Sequence, residues 1–181
     1  MSEKKYVEKY FLEALKDVGL KKGNIVLDCC CGQGNYTIPA SKLVGEKGTV
    51  YAIDTDRGKL HDLEQEIASS LFQNIKIIQE DVEQKISLPN NSIDVILLYD
   101  IFWYFRPNEG NLSRLLNEIY RIAKPQALIS VFPTHINSKQ LQDFKDEMKN
   151  LGFYLESQLN RTLIHEKNIE RGELLNFIAI R

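Results

Sequence analysis

The run Ile25-Val26-Leu27-Asp28, followed at once by Cys29-Cys30-Cys31-Gly32-Gln33-Gly34, constrains the fold of this chain more than any other segment. A continuous apolar run bounded by turn residues fits a strand buried on both faces, the condition of a parallel sheet. Two glycines directly after it let the backbone come close to a nucleotide-like ligand, and the residues beyond them read as a helix. Strand, glycine loop and helix in that order form a ligand cradle at the carboxyl end of a first strand.

The rest of the chain repeats the strand–helix alternation. Thr49 to Ile53 is a second strand ending at Asp54, Ile75 to Ile78 a third ending near Glu80-Asp81, Ile93 to Leu98 a fourth, and Ala127 to Phe132 a fifth. Helical periodicity covers Lys4 to Val18, with Tyr6, Val7, Tyr10, Phe11, Ala14, Leu15 and Val18 on one stripe that Gly19 ends. It returns over Tyr36 to Val44, over Arg57 to Phe72 (buried stripe Leu60, Leu63, Ile67, Leu71), and over Leu112 to Ile122, closed by Lys124-Pro125. Ser138 is the expected cap of a last helix running to Leu151. Two further strands, Phe153 to Leu163 and Leu174 to Ile180, flank the polar segment His165 to Gly172 without a helix between them, so they pair as an antiparallel hairpin. The expected fold is α/β: a doubly wound, Rossmann-like seven-stranded sheet, mostly parallel, with a C-terminal antiparallel hairpin. One domain is expected over 1–181, with a helix and lead-in at 1–23, a ligand-binding core at 24–134 and a C-terminal helix and hairpin at 135–181.

Composition excludes several functions. A net charge of -2 gives no global basic field for nucleic acid or an anionic membrane surface. The charged amino terminus has no signal-peptide apolar region, and no apolar stretch approaches bilayer-spanning length, so a cytoplasmic protein is expected. All three cysteines are adjacent, which does not reproduce zinc-ligand spacing, so no metal is expected. Nothing in the chain sets an oligomeric state.

The loop departs from the dinucleotide pattern G-x-G-x-x-G, because Asn35-Tyr36-Thr37 follows Gly34 and supplies no third glycine. Asp28 would also sit badly beside a pyrophosphate. A cationic ligand suits it better, since the carboxylate can attract an ammonium or sulfonium directly or through water. Asp54 stands about twenty residues past the loop, where a carboxylate can accept both hydroxyls of a ribose. Asp81 follows the third strand, and Asp94 opens the fourth.

In these residues the chain resembles the class I S-adenosylmethionine-dependent methyltransferases, within them the small ubiquinone-biosynthesis-like branch. Val26-Leu27-Asp28-Cys29-Cys30-Cys31-Gly32-Gln33-Gly34 is similar to the family's V-L-D-x-G-C-G-x-G, with Cys30 in place of its first glycine. Tyr51-Ala52-Ile53-Asp54 is similar to the motif whose acid holds the adenosine ribose, and Glu80-Asp81-Val82 to the one whose Asp contacts the adenine amino group. Leu116 to Pro125 resembles L-x-E-x-x-R-x-L-K-P, with Gln126 and Ala127 replacing the two glycines that follow. The resemblance implies S-adenosylmethionine as cofactor, S-adenosylhomocysteine as product, and a small-molecule methyl acceptor. It implies cofactor contacts from Asp28, Cys30, Gly32, Gly34, Asn35, Tyr36, Asp54, Thr55, Asp81, Val82 and Tyr99.

An acceptor pocket is expected around Asp100, Trp103, Tyr104 and His135, beyond the ends of the fourth and fifth strands. Two roles stand open for the aromatic run Phe102 to Phe105: a wall selecting a flat or apolar acceptor, or packing that fixes a helix to the sheet. His135 is either a general base or an exposed loop residue, and His165 is expected in the solvated hairpin connection. No catalytic base is assigned. Three readings follow: a methyltransferase, a module that binds the cofactor without turnover, and a nicotinamide-dependent oxidoreductase, which the loop disfavours. Cys30 is read as a structural filler rather than a reactive thiol, because Asp28 two residues away disfavours a thiolate.

Overall fold

The computed structural model describes residues 3–70, 72–107, 110–165 and 168–180; the side chains of residues 3–8, 164, 165 and 168–170 lie outside that description. In chain order the elements are α1 (Glu3–Val18), β1 (Ile25–Cys29), α2 (Thr37–Val44), β2 (Thr49–Asp54), α3 (Arg57–Ala68), β3 (Ile75–Gln79), β4 (Ile93–Tyr99), a 3₁₀ turn (Ile101–Trp103), α4 (Gly110–Ile122), β5 (Ala123–Phe132), α5 (Ser138–Asn150), β6 (Phe153–His165) and β7 (Asn168–Ala179). The seven strands form one sheet in the order β3-β2-β1-β4-β5-β7-β6. β1 to β5 pair in parallel, and β7 runs antiparallel to both β5 and β6. Strand order reverses between β1 and β4, and the crevice outside the carboxyl ends at such a reversal is where ligands bind in open sheets.

Burial on both faces explains the unbroken apolar character of β4. Val95, Leu97 and Tyr99 pack with Phe11, Leu15 and Val18 of α1. Ile96 and Leu98 pack with Leu112, Leu116 and Ile119 of α4 and with Phe144 and Met148 of α5. The α1 stripe is thus buried through Phe11, Ala14, Leu15 and Val18, whereas Tyr6 and Val7 lie outside the described side chains and Leu71 outside the described residues.

Several boundaries differ from the sequence expectation for local reasons. Asn137, not Ser138, caps α5: its side chain accepts from the Gln140 amide, and the Gln140 side chain accepts from the Asn137 amide. β5 begins at Ala123, and Lys124-Pro125 falls at a bulge where pairing jumps from Ile93↔Ala123 to Val95↔Leu128. A bulge accommodates a proline that has no amide to give the ladder. Gln126, in the place of a glycine, holds φ of 65° there. The segment read as a polar connection from His165 to Gly172 is largely strand, since pairing continues from Arg161↔Gly172 to His165↔Asn168. Asp94, at the amino end of β4, lies on the edge of the sheet opposite the crevice. It accepts from the Ile25 amide at 2.7 Å and pairs with Lys124 at 2.6 Å.

The segment leading from β3 to β4 is held by α4. Glu118 Oε2 accepts from the Ile86 amide at 2.9 Å. Arg121 donates to the Leu88 carbonyl at 2.9 Å, to the Ile86 carbonyl at 2.8 Å and to Asn90 Oδ1 at 2.8 Å, and pairs with Glu118 at 2.6 Å. The hydrogen bond from Arg121 holds the Glu118 carboxyl below its ordinary range. A planar fork with several donors can satisfy all these acceptors at once, which a lysine cannot. Arg121→Ala is therefore expected to cost about 2–3 kcal/mol in urea unfolding, with Arg121→Lys recovering less than half. An unchanged midpoint in Arg121→Ala would show that the segment is held by its apolar contacts alone.

Candidate functional site

The carboxyl ends of β1, β2, β4 and β5 and the loop after β3 open on a cavity of about 620 Å³. Ten of the eleven residues expected at the cofactor line it: Asp28, Cys30, Gly32, Asn35, Tyr36, Asp54, Thr55, Asp81, Val82 and Tyr99. Gly34 is not among its lining residues. A Cβ there would stand 2.4 Å from Leu63 Cδ1, so glycine at this position lets the loop pack on α3. At the neighbouring Gly32 a Cβ would make only an ordinary contact with Lys59 at 3.9 Å, and it is the left-handed φ of 55° that favours glycine there.

Asp28 occupies the last turn of backbone before the loop and is 3% exposed. Thr37 Oγ1, at the start of α2, donates to its Oδ2 at 2.6 Å. Burial outweighs that hydrogen bond and pushes the carboxyl up to about 7. Asp28 therefore holds its proton to well above the ordinary carboxylate range. Cys30 takes the left-handed conformation of the glycine it replaces, with φ of 61°. Its hydrogen bond with Cys29, together with burial, raises the Cys29 thiol, and burial with Asp28 and Asp54 nearby raises Cys31. Those two sulfurs are held as inert thiols.

Asp54 closes the loop onto β2. Its Oδ2 accepts from the Gly32 amide at 2.8 Å and its Oδ1 from the Asp56 amide at 2.9 Å. Each oxygen keeps a further lone pair for a ligand. Asp56 caps α3 by accepting from the Gly58 and Lys59 amides. Beyond β3, Asp81 is exposed and accepts from the Glu83 amide at 2.9 Å, with Val82 buried beside it. The floor is an edge-to-face chain of rings: Phe11–Tyr36 at 4.5 Å, Tyr36–Tyr99 at 4.5 Å and Tyr99–Phe132 at 6.5 Å. Tyr99 is anchored through its hydroxyl to Ser130 Oγ at 2.8 Å.

All four residues expected at an acceptor line the same cavity: Asp100, Trp103, Tyr104 and His135. The aromatic run divides between the two roles left open for it. Phe102 and Phe105 are buried in the core, whereas Trp103 and Tyr104 remain 57% and 60% exposed. Trp103 meets the His135 ring edge-on at 4.4 Å. Asp100 and His135 both have left-handed backbones, φ 59° and 62°. Among the described residues, three of the five non-glycine residues with positive φ thus line this cavity, a concentration of strain expected where function holds the backbone in place. The His165 side chain lies outside the described residues, although its backbone pairs with Asn168 in the hairpin.

Sequence reasoning missed several lining residues, among them Cys31, Gln33, Asp56, Lys59, Glu83 and Phe105. The helix-capping pattern of Asp56 with Lys59 three residues on was a usable signal, since it places both at the carboxyl end of β2. Thr37, whose hydroxyl holds Asp28, was read only as the opening of a helix.

A family model described as a methyltransferase domain matches residues 20–177. The demethylmenaquinone methyltransferase of Geobacillus sp. (strain WCH70) is 29% identical over 136 residues, covering 73% of this chain and 56% of that protein. That of Staphylococcus aureus (strain JH9) is 31% identical over 120 residues, covering 66% and 47%. The chain spans about half the length of the curated relatives it matches. Among solved structures, a SAM-dependent methyltransferase from Aquifex aeolicus superposes with a TM-score of 0.77 at 25% identity, over 96% of this chain and 92% of that one. The magnesium protoporphyrin IX methyltransferase of Synechocystis PCC 6803, solved with bound SAM, has the same fold, with a TM-score of 0.68 at 15% identity over 97% and 78%.

Two outcomes follow from the geometry of β1 and its loop. The folded Asp28 keeps its proton over a range in which an unfolded chain has lost it. Its contribution to stability is full below pH 3.8, is lost as pH rises toward about 7, and is level above that. Asp28→Asn should flatten this part of the pH profile in urea titrations; identical profiles would show the carboxyl ionised in the free protein. Cys30→Gly should raise stability by up to about 1 kcal/mol, the left-handed strain relieved less the entropy of the added glycine. A clear loss of stability in Cys30→Gly would show that the thiol's packing outweighs the strain.

Proposed function

Because this chain belongs to the methyltransferase-domain family, we propose that it binds S-adenosylmethionine in the cavity and transfers the methyl group to a small, flat acceptor of the kind a menaquinone precursor represents. The observation that carries this reading is the order of the lining. Carboxylates Asp28 and Asp54, at the carboxyl ends of β1 and β2, and Asp81, past the end of β3, line one side, and a partly exposed aromatic surface stands beside them on the other. That donor set fits a cationic, ribose-bearing ligand and does not fit a pyrophosphate.

When bound, S-adenosylmethionine would supply a methyl group on a positively charged sulfur, a good leaving group because it departs as the neutral thioether of S-adenosylhomocysteine. The chain's own residues have distinct tasks in this reading. Asp54, oriented by two backbone amides, accepts the ribose hydroxyls. Asp81 and Val82, with Thr55, take the adenosine end. Asp28, Asn35 and Tyr36, with the backbone of Cys30 and Gly32, surround the cationic end, where positive charge favours the carboxylate form of Asp28. Tyr99 supports the ring of Tyr36 from below. Trp103, Tyr104, Asp100 and His135 face the acceptor, and most of the rate comes from alignment rather than from a dedicated base.

A reducing compartment, the cytoplasm, is proposed for the enzyme on its three free cysteines; no described helix is long and apolar enough to cross a membrane. Calorimetry with S-adenosylmethionine and S-adenosylhomocysteine tests the binding, and transfer of labelled methyl to a menaquinone precursor tests the reaction. Asp54→Ala is expected to weaken both ligands by about 1.5–3 kcal/mol, since it removes a charged acceptor from hydroxyl donors. Equal affinity in the variant would place the ribose elsewhere, and no heat with either ligand would refute the proposal as a whole.

A further inference from the structure

The acceptor side of the cavity is cross-linked more tightly than its exposure suggests. Thr134 Oγ1, at the end of β5, donates to Asp100 Oδ1 at 2.8 Å, fixing a carboxylate that stands directly after β4. One residue on, His135 meets Trp103 of the 3₁₀ turn at 4.4 Å between ring centres. Two contacts therefore bind the β4 end to the β5 end, with both Asp100 and His135 held at positive φ. The result is a preset wall of rings with one carboxylate in it.

Fixed charge around the cavity as a whole is one-sided. Seven carboxylate side chains are among the described residues that line the cavity, against one lysine. That lysine, Lys59, belongs to α3 near Asp54, and its own ammonium lies 3.9 Å from Asp56. An acceptor resting on Trp103 and Tyr104 has two ionisable lining neighbours on that side, the Asp100 carboxylate and the His135 ring against Trp103, and no lysine or arginine among the described lining residues there. A flat aromatic face provides dispersion and area burial for any planar ring, so it does not discriminate by charge. Asp100 does, because like charge in a partly desolvated site is disfavoured far more than in water.

We propose that Asp100, positioned by Thr134, determines the charge class of the acceptor: the wall takes a flat aromatic molecule without negative charge and rejects its anionic counterpart. This rests on the methyl-transfer reading for the use made of the wall, not for its selectivity.

The test compares two planar probes of one size, 2-naphthol and 2-naphthoate, binding to the full chain at neutral pH. Each is measured with and without saturating S-adenosylhomocysteine. The naphthol is expected to bind at least tenfold more tightly, and the ratio to shrink as salt is raised. Asp100→Asn keeps an oxygen for the Thr134 hydroxyl and a residue type that tolerates the left-handed backbone, so the fold is retained while the charge is removed. In that variant naphthoate should gain affinity until the ratio is threefold or less, with naphthol unchanged. Equal binding of the two probes to the native chain, no binding of naphthol, or an unaltered ratio in Asp100→Asn would each overturn the inference. Failure of S-adenosylhomocysteine to bind would instead strike the methyl-transfer reading, because the probe ratio in the cofactor-free chain decides this one independently.

Discussion

Burying the carboxyl of Asp28 at the end of β1 is the constraint around which the site is arranged. An ionised carboxylate with so little exposure is unfavourable, and one hydroxyl from Thr37 compensates for only part of the loss of water. Burial raises the carboxyl far above its ordinary range, to about 7. A positively charged ligand removes that imbalance by favouring the carboxylate, so a destabilising element of the free protein becomes an attractive one in the complex. The surrounding chain makes this possible. Thr37 must start α2 at this point, Gly34 must let the loop close on Leu63, and Asp54 must hold Gly32 from the neighbouring strand.

Strain and packing divide the cavity into two halves. On the β1 and β2 side, backbone amides orient the acids, and Cys30 accepts a glycine's conformation between the inert thiols of Cys29 and Cys31. On the β4 and β5 side, the left-handed Asp100 and His135 aim a carboxylate and a ring into the same space. The aromatic chain from Phe11 through Tyr36 and Tyr99 to Phe132 runs beneath both halves and ties α1 to the sheet. Packing of α1 is therefore part of the cavity floor, not merely a cover for the sheet.

The alternation of strands and helices and the acids at or just past the ends of β1, β2 and β3 were legible because each has a local signature: an apolar run, a periodic stripe, or an acid where a strand stops; the place where strand order reverses, between β1 and β4, has none. Less legible were features set by distant partners. Gly34 looks like a ligand-facing glycine until Leu63 is placed against it. Phe102 and Trp103 are neighbours in sequence, yet one enters the core and the other faces the cavity, because the 3₁₀ turn rotates them apart. The polar stretch near the hairpin tip reads as a loop by composition but continues the ladder, since strand pairing depends on its partner strand and not on its own hydropathy. The altered protonation of Asp28 could not be read either, because it depends on burial.

The central claim is that a cationic ligand ionises Asp28. Calorimetric titration of S-adenosylmethionine near pH 7, repeated in buffers of different ionisation enthalpy, counts the protons exchanged on binding. With burial pushing the free carboxyl up to about 7, part of a proton should be released per ligand bound, and this release should be lost in Asp28→Asn. Binding to the native chain with no proton release, indistinguishable from the Asp28→Asn variant, would contradict the account.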